Sequence, residues 1–178
     1  MIRIRTLFSV FVLASLLAFT LSGCVAGGSF VPQFRTVEAP LTASDALGLY
    51  DAARDASLRL VISGLEEDQA GRPSRAIASY QRAVRVDPTN PYAFLALARH
   101  HLEGGSAGEA SAFLDQARSL FEAEGRFGPS VDVWGFGLRA GIDRAQGSDE
   151  RADRLLEKAM SLSPEVWGDG RLSASELR

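Results

Sequence analysis

Residues 71–90, GRPSRAIASYQRAVRVDPTN, decide the fold of this chain of 178 residues. Within this stretch Ala76, Tyr80 and Ala83 lie four and three residues apart, so they share one face of a helix. The two alanines let a neighbouring helix approach closely, and the tyrosine between them fills the remaining space. The glycine that opens the stretch predicts a left-handed turn at the end of a preceding helix. Pro88 predicts the end of the following helix, because proline cannot continue one.

The same pattern recurs at two later places in the chain. A shift of 34 residues gives the second copy, and a further shift of 42, which is 34 plus an insertion of eight residues, gives the third. The aligned columns are Leu60, Phe94 and Phe136; Gly64, Ala98 and Ala140; Gly71, Gly105 and Gly147; Ala76, Ala110 and Ala152; Tyr80, Leu114 and Leu156; Ala83, Ala117 and Ala159; and Val86, Leu120 and Leu162. Each copy therefore predicts a helix, a tight turn and a second helix.

These columns resemble the tetratricopeptide repeat (TPR), and residues 71–90 are very close to the pattern of its second helix. The third copy departs from the family at Arg139, where an apolar residue is usual. The resemblance implies an all-α fold, a TPR-type helical-hairpin solenoid of about three repeats with helical caps. The domain is expected at residues 43–178, with repeats at about 57–90, 91–124 and 133–166.

The flanks of the repeats predict caps. Ser44 and Ser130 are expected to cap the N-termini of helices. The helix begun at Ser44 either stands alone or runs into the first repeat as one long bent helix. Beyond Pro164 the chain is too short for another helix pair, so a short capping helix or a frayed tail is expected.

In the tetratricopeptide family the first helices of successive repeats line a concave groove that binds partner proteins. The resemblance assigns nine side chains to a partner-binding groove here: Leu58, Val61, Leu65, Tyr92, Leu95, Arg99, Leu102, Trp134 and Arg144. Aromatic and arginine side chains are the types that anchor interfaces, so an extended segment or an amphipathic helix with an acidic residue is the expected ligand. Alternatively, Tyr92 and Trp134 pack on the insertion or on the N-terminal tether. The Lys and Asn clamp with which one subfamily holds a C-terminal carboxylate is absent.

Residues 1–23 predict a cleaved signal peptide. Arg3 and Arg5 precede an apolar stretch from Leu7 to Leu21, whose 15 residues as a helix span roughly 22 Å, too short for a hydrocarbon core of about 30 Å. The next residues complete the motif LSGC, which resembles the bacterial lipobox. That resemblance implies cleavage before Cys24 and lipidation of its thiol. An ordinary signal peptide followed by a chance cysteine is the alternative.

The residue after the lipidated cysteine bears on the destination. In Gram-negative bacteria an aspartate there tends to hold a lipoprotein in the inner membrane, and this chain has Val25. The resemblance therefore implies an outer-membrane, lipid-anchored, periplasm-facing protein. Residues 24–42 are rich in glycine and proline and lack helical periodicity, so they are expected to form a flexible lipidated tether. Alternatively, Phe30 and Phe34 dock this segment on the domain.

Composition argues against several function classes. The chain has 19 Lys and Arg against 22 Asp and Glu, and removal of Arg3 and Arg5 with the signal peptide brings the net charge to about −5. That balance argues against nucleic-acid binding, which needs a basic surface. The adjacent His100 and His101 point about 100° apart on a helix and cannot chelate one metal ion. His101 is instead expected to pack between helices.

No pattern typical of an enzyme appears. The sequence shows no nucleophile in a recognisable setting and no glycine-rich phosphate loop, so no catalytic residue, cofactor or metal is expected. The acidic run Glu66, Glu67 and Asp68 is expected to be a solvated helix end. The leading hypothesis is an adaptor or scaffold that binds envelope proteins, either pilotin-like or hydrolase-scaffold-like by family analogy. The alternative is a structural lipoprotein that assembles with copies of itself.

Overall fold

Every regular element within residues 39–178 is an α-helix, and the first six helices form three consecutive hairpins. The computed structural model describes these residues, which belong to one compact unit, Thr36–Arg178. The helices are α1 Ala52–Gln69, α2 Pro73–Val86, α3 Pro91–Glu103, α4 Ala107–Ala123, α5 Pro129–Ala145, α6 Asp149–Leu162, α7 Pro164–Trp167 and α8 Ala174–Leu177. The prediction of an all-α solenoid of helical hairpins is confirmed. The predicted signal peptide, Cys24 lipidation and most of the tether lie outside the described residues.

The repeated glycines close the hairpins as the sequence predicts. Gly71, Gly105 and Gly147 have φ angles of +69°, +78° and +78°, a conformation that side chains disfavour. In the first hairpin this turn lets the Arg72 N–H donate to the carbonyl of Glu67 at 2.9 Å, satisfying the end of α1. The three turns therefore share one physical cause.

The repeated small residues set how closely the paired helices approach. The two alanine columns are fully buried in all three copies (Ala76, Ala83, Ala110, Ala117, Ala152 and Ala159). Gly64 of α1 lies directly against the Tyr80 ring, because a Cβ there would stand 2.3 Å from Tyr80 Cε1. A large residue on one helix thus fits over a small one on its neighbour.

Both predicted N-caps are wrong. α1 begins at Ala52, and its N-cap is Asp51, whose carboxylate accepts the Arg54 N–H at 2.9 Å. Ser44 lies instead in a run of turns over residues 43–48, so the long bent helix does not form. α5 begins two residues earlier than a Ser130 cap implies, because Pro129 presets the backbone of its first position. Ser130 therefore lies buried inside the first turn.

The C-terminal residues 164–178, here called the strap, turn back across the first helices of the hairpins. Trp167 of α7 packs on Gly137 of α5, and α8 contacts α1. The N–H of Ala43 donates to the carbonyl of Leu177 at 3.1 Å, and that of Ser44 donates to Arg178 at 2.8 Å. The end of the chain is thus two short helices rather than a frayed tail.

Candidate functional site

The first helices of the hairpins form the layer that was expected to carry the groove. α1 contacts α3, and α3 contacts α5. Of the nine side chains assigned to the groove, Leu102 is half-buried and Arg144 is exposed. The remaining seven are each no more than 2% exposed: Leu58, Val61, Leu65, Tyr92, Leu95, Arg99 and Trp134. Their role in partner binding stays a prediction, and with the strap in place they offer almost no surface.

The strap is what covers this layer. Trp167, Leu172, Ala174 and Leu177 are all buried, and α8 lies against α1. The approach of Trp167 to α5 requires Gly137, since a Cβ at that position would stand 2.1–2.3 Å from the indole ring. The strap therefore lies against α1 and α5 in the layer that was expected to carry the groove.

Trp134 packs on the end of the tether and Tyr92 packs on the insertion, which is the alternative arrangement considered for them. Trp134 Nε1 donates to the carbonyl of Leu41 at 3.0 Å. The Tyr92 ring meets Phe121 edge-on at 5.3 Å between centroids, and the Arg126 guanidinium lies 5.7 Å from its centroid. Burial raises the pKa of Tyr92 to about 12. These two aromatic residues hold neighbouring segments in place rather than project into solvent.

Asp68 corrects the prediction of a solvated acidic helix end. Its carboxylate pairs with Arg99, accepts the Tyr80 hydroxyl at 2.9 Å and lies 3.1 Å from His100 Nδ1. Burial acts to raise the pKa of Asp68, but the hydrogen bonds from His100 and Tyr80 and the charge of Arg99 hold it below its ordinary value. Since its side chain is only 7% exposed, it is part of a buried polar cluster.

His101 behaves as predicted. Its ring packs on Phe113 of α4, with 5.1 Å between ring centroids, so it fills the space between the two helices of the second hairpin. No group of three or more His, Cys, Asp or Glu side chains within residues 39–178 is arranged to hold a metal ion.

A second buried polar cluster was missed by sequence reasoning. Arg54 of α1 pairs with Asp87 and Glu124, and its Nη2 donates to the carbonyl of Thr89 at 2.9 Å. Burial acts to raise the pKa of Asp87, while hydrogen bonds from Thr89 and Arg54 lower it overall. Asp87 and Glu124 lie 33 and 70 residues after Arg54, so no local sequence pattern predicts these contacts.

A cavity of about 550 Å³ remains between α3, α5 and the strap, and it is here called the concave cavity. Three of the nine predicted groove residues line it, namely Arg99, Leu102 and Arg144. The strap contributes Trp167, Arg171 and Leu172 to its opposite wall. Part of the predicted site is therefore brought together, but in a partly open pocket whose opposite wall is the strap.

The loop before α5 carries the second surface feature. Phe127 is 68% exposed and lines a cavity of about 210 Å³ together with Phe136 and Leu155. Arg118, Arg126 and Arg139 stand around the same cavity. Phe127 and these neighbours are here called the loop patch. Its position within the eight-residue insertion was its one sequence signal, since insertions into a repeat map to loops that often serve binding.

The geometry of the second hairpin agrees with one comparison. Residues 69–123 match the tetratricopeptide repeat family. The match spans the end of α1 and all of α2, α3 and α4, so the helices of that stretch are similar to tetratricopeptide repeats. No curated protein and no solved structure was found that matches the chain. Among the helices of residues 39–178, none is long and apolar enough to cross a membrane.

Proposed function

We propose that this protein is a lipid-anchored adaptor that binds another protein of the bacterial envelope and catalyses no reaction. Tetratricopeptide repeats are a protein-interaction scaffold, and that coarser role follows from the match to residues 69–123. The lipobox-like LSGC motif supports anchoring through Cys24, and Val25 supports the periplasmic face of the outer membrane.

The observation that carries the adaptor proposal is the exposed Phe127 at the break in the repeat array. An aromatic side chain that is 68% exposed beside a cavity and among arginines has the composition of an interface anchor. Arg118 is exposed, whereas Arg139 is engaged with Asp115 and with Ser111 Oγ, 2.8 Å away. The partner is accordingly a protein segment with an apolar pocket for Phe127 and an acidic residue opposite Arg118.

The test is photo-crosslinking in cells with a photoreactive residue placed at position 122 or 132, because Glu122 and Asp132 are exposed and line the same cavity as Phe127. Phe127→Ala is compared with Leu49→Ala, a matched control because Leu49 is 67% exposed but does not line the cavity beside Phe127. We expect a specific envelope protein to be captured by wild type and by Leu49→Ala, and lost in Phe127→Ala. Trp134 and Arg99 are unsuitable for this purpose, because both are buried and their substitution disturbs the core.

The identity of the captured protein separates the finer alternatives. A secretin subunit supports a pilotin-like role, and a peptidoglycan hydrolase supports a scaffold role. Crosslinks only to copies of the same chain, unchanged in Phe127→Ala, overturn the adaptor proposal in favour of self-assembly.

The anchor has a separate test. Mass spectrometry of the N-terminal peptide is expected to show acyl chains on Cys24, and Cys24→Ser is expected to leave the membrane fraction. An unmodified Cys24 in a correctly exported chain overturns the lipoprotein assignment and leaves the loop patch untouched.

A further inference from the structure

The strap lies against the layer of first helices. Its α8 contacts α1, where Leu58, Val61 and Leu65 have no exposed surface. An extended partner segment running along the concave face would have to pass through the strap. The open space that remains, about 550 Å³, instead lies in the range of pockets that take small organic molecules, about 300–1,000 Å³.

One part of the cavity wall is apolar. Leu102 of α3, Leu138 of α5 and Leu172 of the strap line it from three sides. Gly137 and Gly141 line it from α5 without a Cβ, which leaves room for the Trp167 ring and for the Leu102 side chain. These side chains suit a hydrocarbon or aromatic body.

The rim of the cavity is cationic. Arg99 is already neutralised, because it pairs with Asp68 and with Glu103 at 2.7 Å. Arg144 pairs with Asp153 at 2.7 Å, but both side chains are well exposed, so this pair is weak and exchangeable. Arg171 pairs with no carboxylate in the part of the chain that the structure describes. Two arginines thus remain to receive an anion.

Two buried donors at the same cavity also lack a partner. Arg99 Nε and Trp167 Nε1 are buried N–H groups with no hydrogen-bond acceptor among residues 39–178, and both residues line the cavity. Buried donors are nearly always satisfied in folded proteins. Since neither of these two atoms has accessible surface on the cavity, a ligand there is held by the exposed arginines of the rim and not by these two groups.

We propose that the concave cavity binds a small organic acid with an apolar body. Its carboxylate pairs with Arg144 and Arg171, and its body lies against Leu102, Leu138 and Leu172. Arginine suits this role because its planar guanidinium donates two parallel hydrogen bonds to a carboxylate. Since Arg144 belongs to α5 and Arg171 to the strap, the bound acid joins the two and holds the strap closed.

The test uses 4-phenylbutyrate and hexanoate as probes, each beside its uncharged amide of the same shape. Isothermal titration of the full chain in a non-ionic detergent is expected to show saturable one-site binding of an acid, with the amide about tenfold weaker. Arg144→Gln and Arg171→Gln are each expected to weaken binding of the acid about tenfold. Arg154→Gln, which removes an exposed arginine elsewhere on α6, is the matched control and leaves the affinity unchanged.

Three results would overturn the proposal. They are no saturable binding of either acid, equal affinity for acid and amide, and affinity that is insensitive to both arginine variants. Far-UV circular dichroism checks that the variants fold, as expected for exposed residues. Phe127→Ala is expected to leave acid binding unchanged, so a failure of this proposal is distinguishable from a failure of the adaptor proposal.

Discussion

The two ends of the concave face meet the strap in opposite ways. At the closed end, α8 contacts α1, and Leu58, Val61 and Leu65 of α1 have no exposed surface. At the open end, the Trp167 ring lies against Gly137 and the Leu102 side chain lies against Gly141, and a cavity of about 550 Å³ remains beside them. Side chains thus fill the first end, whereas part of the space between α3, α5 and the strap stays unfilled. The same repeat scaffold thus yields packing at one end and a pocket at the other.

The largest effect expected is from a leucine truncation compared between the two ends. Leu65→Ala at the closed end should lower the free energy of unfolding by about 2–5 kcal/mol, because a fully buried leucine leaves a cavity behind. Leu102→Ala at the open end should cost roughly 1 kcal/mol, since that side chain is half-buried beside existing space. Urea unfolding followed by circular dichroism measures both. Equal losses would contradict the distinction between the ends.

The buried carboxylate beside the closed end gives the next effect. Asp68→Asn should cost about 1.5–3 kcal/mol at pH 7, because hydrogen bonds to charged groups are lost. The folded-state pKa of Asp68 lies below its ordinary value near 3.9, so its carboxylate stabilises the fold above that pH. This contribution is lost as the pH falls through the lower, folded pKa.

Urea unfolding of wild type and Asp68→Asn at pH 7 and at about pH 3 tests this dependence. The difference in free energy between the two proteins should shrink at the acidic pH. A difference that stays constant would mean that Asp68 acts through packing and not through its charge.

Adding one methyl group at Gly137 tests how tightly the strap packs on α5. Gly137→Ala should cost about 1–3 kcal/mol, because the new Cβ overlaps the Trp167 ring and the strap has to shift. Gly135→Ala on the same helix is the matched control. Its Cβ would stand 3.7 Å from the nearest atom, Arg118 Cδ, so it should be neutral or slightly stabilising. Thermal unfolding of both variants makes the comparison, and a neutral Gly137→Ala would show that the strap is loosely seated.

The smallest effect is expected at the rim of the open end. Arg144→Gln should change the free energy of unfolding by less than about 1 kcal/mol, because its pair with Asp153 is exposed to solvent. The loss in free energy of unfolding should become smaller when salt is added, because salt screens an exposed ion pair. Urea unfolding at low and high salt checks this. A large loss would assign Arg144 to the fold and weaken its role as a free cation.

Sequence reasoning predicted the hairpins well, because each depends on residues close together in the chain. The glycine turns and the alanine faces follow from spacings of three, four and about 34 residues, and the structure confirms them. His101 was also placed correctly between helices. The two N-caps failed, since Ser44 and Ser130 are plausible caps whose places were taken by Asp51 and Gly128. The Asp51 carboxylate accepts the Arg54 N–H at the start of α1, and Pro129 presets the first position of α5.

The assigned groove was the least complete part of the prediction. Family analogy identified the correct layer of helices, but it had no information on where residues 164–178 would go. Nothing in the local sequence shows that Trp167 lies on Gly137 or that Leu177 meets the segment at Ala43. Likewise, the local sequence predicts that Asp68 is exposed to solvent, because its partner Arg99 lies 31 residues away in the chain.

By itself the sequence determined the repeating hairpin, because short-range periodicity sets which faces are apolar and where each helix ends. It also carries the lipobox-like motif at Cys24, whose role stays a prediction. Only the tertiary structure decided that the chain covers its own concave face, leaves a cationic cavity at one end and exposes Phe127 at the loop patch. Those features depend on contacts between residues far apart in the chain, and such contacts are set by the packing of the whole domain.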